Sequence, residues 1–187
     1  IKGDCNVDDY VSVRIHSECF TGDVLGSKMC DCGDQLNKSM EYIADKGKGV
    51  IIFPANHEGR GIGLTNKIKA YDLMQRDKSI DTYEANCILG FKEDERSFDD
   101  CINILKEIIP CSKINLLTKN PDKINILSKY FTKIKSEPLI IESNEHNNNY
   151  LTVKKEKQLD IGFMKEPLHY MKNLPVPDIV AKAQLKI

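Results

Sequence analysis

The sequence lacks an excess of charge of either sign, with 27 Lys and Arg against 28 Asp and Glu for a formal net charge of -1. That balance excludes an overall basic field for holding nucleic acid or an anionic membrane, so any phosphate recognition must be local. Long apolar runs are also missing: the longest, Val50-Ile51-Ile52-Phe53 and Pro138-Leu139-Ile140-Ile141, fall far short of the roughly 18 to 20 residues of a membrane span. A soluble protein without a membrane partner is expected. The opening Ile1-Lys2-Gly3-Asp4 has neither a charged-then-apolar leader pattern nor an initiator Met, which leaves room for an upstream segment. Internal repeats and fibrous or disordered composition are absent too, since 41% hydrophobic and 29% charged residues are globular proportions. At 187 residues the chain suits one domain with a real core, not two of ordinary size.

Seven cysteines, an odd number in a chain long enough to do without disulfide staples, fit a reduced, cytoplasmic compartment. Cys87, Cys101 and Cys111 sit among apolar residues and read as small buried hydrophobes.

Val11 to His16 alternates apolar with polar residues, which predicts a half-buried strand whose other face carries Ser12, Arg14 and His16. Leu36, Met40 and Ile43 recur at helical spacing before Gly47, a C-cap, and predict a helix over 34–46. Val50 to Phe53, bounded by Gly49 and Pro54, predicts a strand buried on both faces. A Gly-rich turn then leads into a helix over 65–76 with Leu64, Ile68 and Tyr71 on one face. Asp99 caps a helix carrying Ile102, Leu105, Ile108 and Ile109, and Pro110 ends it. Ile114 to Thr118 is a strand, Asn120-Pro121 opens a helix through Ile124 and Leu127, and Pro138 to Ile141 is the last strand. Alternating strands and helices predict a single α/β domain, a mixed sheet flanked by helices, whose sites gather on loops where strands end. The domain covers residues 1–160. A polar surface loop at Asn144 to Asn149 and an irregular C-terminal extension over 161–187, with Pro167, Pro175 and Pro177, complete the chain.

Cys19, Cys30 and Cys32 are spaced C-x10-C-x-C between the first strand and the first helix. Three thiolates leave a tetrahedral zinc ion one open position, the arrangement of a catalytic rather than a structural zinc. Three unrelated buried thiols are the alternative, and His16 as a fourth ligand would close the site. Glu58-Gly59-Arg60-Gly61-Ile62-Gly63 matches neither the P-loop nor the dinucleotide fingerprint. Its alternating glycines can bring backbone close to a ligand with Arg60 pairing an anion, or can simply form a turn entering a helix. Asp94-Glu95-Arg96 is either a solvated turn or a guanidinium oriented by carboxylates. Thr118, Lys119 and Lys123 around Asn120-Pro121 offer a phosphate site at a helix N-terminus, or ordinary capping with surface lysines.

Seven blocks then stand in one uninterrupted order. They are Arg14 to Asp23, Cys30 to Leu36, His57 to Leu64, Asn66 to Tyr71, Asp81 to Asn86, Asp94 to Arg96 and Leu116 to Pro121. Together, over roughly residues 11–155, they resemble the GTP cyclohydrolase II family, which opens riboflavin biosynthesis. The resemblance implies a zinc-dependent hydrolase that opens the imidazole ring of GTP. It releases C8 as formate, expels pyrophosphate and leaves 2,5-diamino-6-(5-phosphoribosylamino)pyrimidin-4(3H)-one. It implies that Cys19, Cys30 and Cys32 hold Zn2+ for water attack on C8, with His16 not a ligand. Arg96 would attack the α-phosphate with Asp94 as its base, and Tyr71 would donate or relay a proton beside the ring. GTP contacts carried over are Arg14, Ile15, His16, Ser17, Glu18, Gln35, Glu58, Gly59, Arg60, Thr82, Thr118 and Lys123. Mg2+ would accompany the triphosphate, and the assembly would be a homodimer. Rival readings are a paralogue that stops at the formylated intermediate or takes another purine nucleotide, a GTP-binding regulatory protein without turnover, and a structural zinc module.

The chain departs from the family pattern in several places. Phe53-Pro54-Ala55-Asn56 lacks an Arg usual there, Lys119 replaces an Asn, the strands before Arg14 are mostly missing, and an extended tail from Gln158 replaces the Lys-Met-Gly-His ending.

Overall fold

In the computed structural model, which describes residues 1–110 and 113–141, four strands form one sheet in the order β2-β1-β3-β4. Cys111, the loop expected over 144–149 and the extension over 161–187 lie outside the described residues. The strands are β1 (Val11–Ile15), β2 (Gly49–Ile52), β3 (Lys113–Leu116) and β4 (Lys133–Ser136). Between β1 and β2 come a one-turn helix α1 (Phe20–Asp23) and α2 (Cys32–Lys46). A 3-10 segment (Ala55–Arg60), α3 (Gly63–Arg76), α4 (Thr82–Ile88) and α5 (Asp99–Ile108) join β2 to β3, and α6 (Pro121–Leu127) joins β3 to β4. The α/β architecture is the one expected. Every strand pair is parallel, however, where a mixed sheet was expected; among the described residues the antiparallel pairing is the isolated bridge of Lys2 with Gly49. Each crossover contains a helix, which is what lets successive strands run the same way.

The alternation in β1 is real, but both of its faces are covered. Val11, Val13 and Ile15 align with Val50, Ile52, Ile114 and Leu116, and pack against Cys101, Ile102 and Leu105 of α5 and Leu127 of α6. Full burial of such a side chain contributes about 1.5–3 kcal/mol. On the opposite face Ser12, Arg14 and His16 are also buried, so the strand is not half-exposed as its pattern suggests. Close packing of α2 is the cause. A Cβ on Gly49 would lie 2.9 Å from the Ile43 side chain and 2.7 Å from the Ser12 carbonyl oxygen, so the missing side chain is what lets α2 settle onto the sheet. The central strand of a parallel sheet is sandwiched in this way, and its polar side chains then need internal partners.

Several local expectations hold. Gly47 ends α2 in the left-handed conformation at φ 71°, and the Asn120 side chain accepts the Asp122 and Lys123 amides with Pro121 in the first turn. Others need correction. Residues 138–141 form no strand; the last one is β4, hidden in the sequence because three of its four residues are exposed and two are lysines, the composition of a protected sheet edge. Helix α3 forms where expected but turns Lys67 and Ala70 inward while Leu64 and Ile68 are exposed. Phe98, not Asp99, occupies the N-cap of α5. Helix α4 has no apolar periodicity to announce it and is fixed by a capping box between Asp81 and Glu84.

This strand order positions the site. The chain leaves β1 toward β2 on one side, whereas β3 lies on the other, so the loops after β1 and β3 diverge and open a crevice at their carboxyl ends.

Candidate active site

A cavity of about 310 Å³ occupies that crevice. Its wall draws on the loop after β1, the start of α2, the 3-10 segment, α3, α4, Arg96 and the loop after β3.

Three cysteines line it. Cys19 caps α1, Cys30 precedes α2, and Cys32 is the first residue of α2, so two helix starts set the spacing. Their sulfurs all lie within 4.8 Å of one another, with Cys19 Sγ and Cys30 Sγ 3.6 Å apart. Tetrahedral zinc with sulfur at about 2.3 Å needs sulfurs about 3.8 Å apart, so the set fits a zinc ion. The cluster contains no fourth His, Cys, Asp or Glu among the described residues. His16 is turned elsewhere, its Nε2 3.0 Å from Asp23 Oδ1 and its Nδ1 3.4 Å from Arg14 Nη2.

Buried charge holds this loop in place. Asp23 Oδ2 accepts the Cys19 amide at 2.9 Å, Glu58 Oε2 accepts the Phe20 amide at 2.6 Å, and Glu58 Oε1 accepts Lys67 Nζ at 2.7 Å. Lys67 Nζ also donates to Cys19 Sγ at 3.0 Å and Thr21 Oγ1 at 2.9 Å. Hydrogen bonds from the Cys30 and Cys32 thiols, reinforced by the Lys67 ammonium, hold the Cys19 thiol far below its ordinary pKa. Cys30 is pushed up to about 11, chiefly by its hydrogen bond to Cys19 together with burial. Lys67 thus places a positive charge directly against the Cys19 sulfur.

Gly22 makes the convergence possible. A Cβ there would lie 2.8 Å from Cys30 Sγ and 3.2 Å from Cys19 Sγ. Replacing an open helical Gly by Ala ordinarily stabilises by about 1 kcal/mol. Here Gly22→Ala is expected instead to push the sulfurs apart and weaken zinc binding about tenfold in a chelator competition, comparable to an outer-shell change at a metal site. Unchanged affinity would show that the sulfurs do not need this close approach.

Arg96 also lines the cavity. Its Nε donates to Asp94 Oδ1 at 2.9 Å and Oδ2 at 3.1 Å, its Nη2 donates to Asp94 Oδ2, and its Nη1 donates to Ser17 Oγ at 3.1 Å. Burial acts to raise the Asp94 pKa, but the Arg96 guanidinium outweighs it and holds the carboxyl below its usual range. Asp94 stands behind Arg96 rather than in the wall. The backbone arrives by a strained route: Arg60 has φ 63°, a left-handed conformation costing a side-chain-bearing residue about 1–3 kcal/mol, and its carbonyl accepts the Glu95 amide at 3.0 Å. The Arg60 guanidinium lies 3.8 Å over the Tyr83 ring and donates to Thr82 Oγ1 at 2.9 Å.

The cavity wall is cationic although the chain is nearly neutral. Arg14, Arg60, Lys67, Arg96, Lys119 and Lys123 face Glu18, Asp31 and Glu58. Arg14 donates to the Leu117 carbonyl at 2.8 Å and to Gln35 Oε1, while its buried Nε has no hydrogen-bond partner. Such a donor is costly unless a ligand acceptor completes it. Lys123 Nζ reaches the Ile15 carbonyl at 3.0 Å and Thr118 Oγ1 accepts the Asn120 amide at 3.1 Å, tying β1, β3 and α6 together at the rim.

The sequence model of GTP cyclohydrolase II matches residues 1–137, nearly all of the elements just described. The chain belongs to the GTP cyclohydrolase II family. It is 49% identical over 158 residues to the riboflavin biosynthesis protein RibBA of Cytophaga hutchinsonii, covering 84% of this chain and 38% of that protein. With the GTP cyclohydrolase-2 of Haemophilus influenzae it shares 45% identity over 159 residues, covering 84% of this chain and 72% of that one. The GTP cyclohydrolase-2 of Helicobacter hepaticus is 52% identical over 145 residues, covering 78% and 73%. The chain thus spans well under half of the first relative and about seven-tenths of the other two.

Of the residues that the GTP cyclohydrolase II resemblance singled out, all but Asp94 and Ile15 line the cavity. The side chain of Ile15, 1% exposed, lies in the core because alternation puts it on the face opposite Arg14 and His16, and its carbonyl reaches the rim. Glu58 lines the wall, but its carboxylate is engaged by Phe20, Gly59 and Lys67. Sequence reasoning assigned no role to Lys67, Asp23, Tyr83 or His57. A signal for Lys67 existed, since Lys67, Ala70, Tyr71 and Met74 follow i, i+3, i+4, i+7 spacing and line the cavity together.

Proposed function

We propose that this chain carries GTP cyclohydrolase II activity, opening the imidazole ring of GTP with release of formate and pyrophosphate. The observation that carries the proposal is that one cavity is lined by a zinc-compatible cysteine triad, a carboxylate-held arginine and several further cations. Such a lining suits a substrate that carries both a purine and a triphosphate.

Zn2+, held by Cys19, Cys30 and Cys32, would supply Lewis acidity that makes water nucleophilic near neutral pH. The protein's own groups account for the rest. Arg14, Arg60 and Lys123 are placed for the phosphates, with the unpartnered Arg14 Nε the most favourable donor because an acceptor there satisfies a buried polar atom. Arg96 is ordinarily a fixed cation, so attack on the α-phosphorus requires a base. Asp94, kept ionised beside it, takes the guanidinium proton as the nitrogen-phosphorus bond forms and pyrophosphate leaves. Water later cleaves that bond and restores the arginine. Tyr71 lies in the wall, 5.7 Å from Lys67 by ring centroid, where its phenol can deliver a proton to a ring nitrogen as the imidazole opens. A second hydrolysis frees the carbon as formate, leaving the diaminopyrimidine. Mg2+ would travel with the triphosphate, and the working assembly would be a homodimer.

Incubating the zinc-loaded protein with GTP and Mg2+, while quantifying formate, pyrophosphate and the pyrimidine by mass, tests the proposal. All three are expected in equal amounts. A formylated product without formate would indicate the early-stopping paralogue, and GTP binding without any product would replace the proposal by the regulatory reading.

A further inference from the structure

The contacts of Arg96 extend one layer beyond the residues assigned to the reaction. Ser17 Oγ, which accepts Arg96 Nη1, also lies 3.1 Å from His57 Nδ1, and His57 Nε2 lies 2.8 Å from the Ser97 carbonyl oxygen. His57 is 2% exposed, and the Phe98 ring meets it edge-on at a centroid distance of 4.9 Å, so the imidazole cannot swing away.

The direction of each bond follows from chemistry. A carbonyl oxygen only accepts, so Nε2 must carry a proton toward Ser97. Burial lowers the tendency of this imidazole to protonate; Arg96 and Lys123 act the same way, with the Ser97 hydrogen bond and Asp94 opposing. The ring is therefore neutral, and Nδ1 presents a lone pair. Ser17 has one hydroxyl proton, and His57 Nδ1 takes it. The serine oxygen is then left with lone pairs only, aimed at Arg96 Nη1.

We infer that His57 is a positioning residue: by fixing Ser17 as an acceptor it completes the grip on Arg96, whose Nε and Nη2 are held by Asp94 and whose Nη1 is held by Ser17. This rests on the proposed role of Arg96. Without His57 the Ser17 hydroxyl can rotate and turn its proton toward the guanidinium, and Nη1 loses its acceptor in Ser17. A guanidinium free to rock spends less time in line with the α-phosphorus, which lowers turnover more than binding.

The test uses the zinc-loaded full chain with GTP. His57→Ala is expected to lower kcat for pyrophosphate release about tenfold while KM changes less than about twofold. His57→Asn, whose side-chain carbonyl can still accept from Ser17, is expected to recover most of that loss. In a Ser17→Ala background, removing His57 should cost almost nothing further, because the link it acts through is already cut. Nitrogen-15 NMR of the wild-type protein reads the geometry independently of turnover and should show His57 as the neutral Nε2-H tautomer. An Nδ1-H tautomer or an imidazolium, an Asn variant no better than Ala, or an undiminished His57 effect without Ser17 would each overturn the inference. Should the wild-type protein not open GTP at all, the function proposed above fails while the NMR result still decides this one.

Discussion

Arg96→Ala is expected to abolish pyrophosphate and formate release together, each by at least about 10³-fold, because in the proposed mechanism it removes the nucleophile of a step that precedes ring opening. GTP binding should weaken by less than about tenfold, since Arg14, Arg60 and Lys123 remain in the wall. Zinc content should be unchanged, as Arg96 is not one of the three clustered cysteines and donates to Asp94 and Ser17. Lysine should not rescue, because an ammonium cannot reproduce the fork that meets Asp94 through Nε and Nη2 and Ser17 through Nη1. Measuring both products in one quenched time course separates the possibilities. Formate continuing while pyrophosphate stops would mean that attack at phosphorus and attack at C8 are independent, and the ordering proposed here would be wrong.

Cys30→Ser should produce the complementary pattern. Loss of one of three thiolates from a triad packed within 4.8 Å is expected to weaken zinc binding more than about 100-fold, beyond the range of outer-shell changes, and to stop formate production. Pyrophosphate release should persist at a substantial fraction of the normal rate, because Asp94, Arg96 and Ser17 are untouched. The fold should survive, since the hydrophobic core lies on the opposite face of the sheet and is built from residues such as Val13, Ile102, Leu105 and Leu116. Metal analysis after dialysis, with both products measured, checks all three statements. A Ser variant that kept its zinc and its formate yield would remove Cys30 from the metal site. The two substitutions together divide the proposed reaction between the cysteine triad and Arg96.

Much of the fold was legible because it rests on local rules. The alternation in β1, the glycine ending α2 and the Asn-Pro start of α6 are signals whose physics is contained within a few residues. Where the reading failed, the deciding energy was nonlocal. β4 is an exposed edge recognisable only once β3 is beside it. The polar face of β1 is buried because α2 covers it, and α3 turns Lys67 inward with Ala70 because that face borders a site rather than the core.

By itself the sequence determined the residue types, through seven ordered blocks that specify three cysteines, an Asp-x-Arg and a set of cations as belonging together. Only the tertiary structure decided what each does with its charge. Lys67 lies 48 residues from Cys19 and touches its sulfur; Ser17 lies 40 residues from His57 and 79 from Arg96 and bonds to both. No local pattern encodes such distances, because the parallel strand order folds the loops after β1 and β3 around one crevice and brings the later segments to its rim. In that buried setting a hydrogen bond or ion pair counts for more than in water, so Lys67, to which the sequence assigned no role, becomes the partner of the Cys19 sulfur and the Glu58 carboxylate.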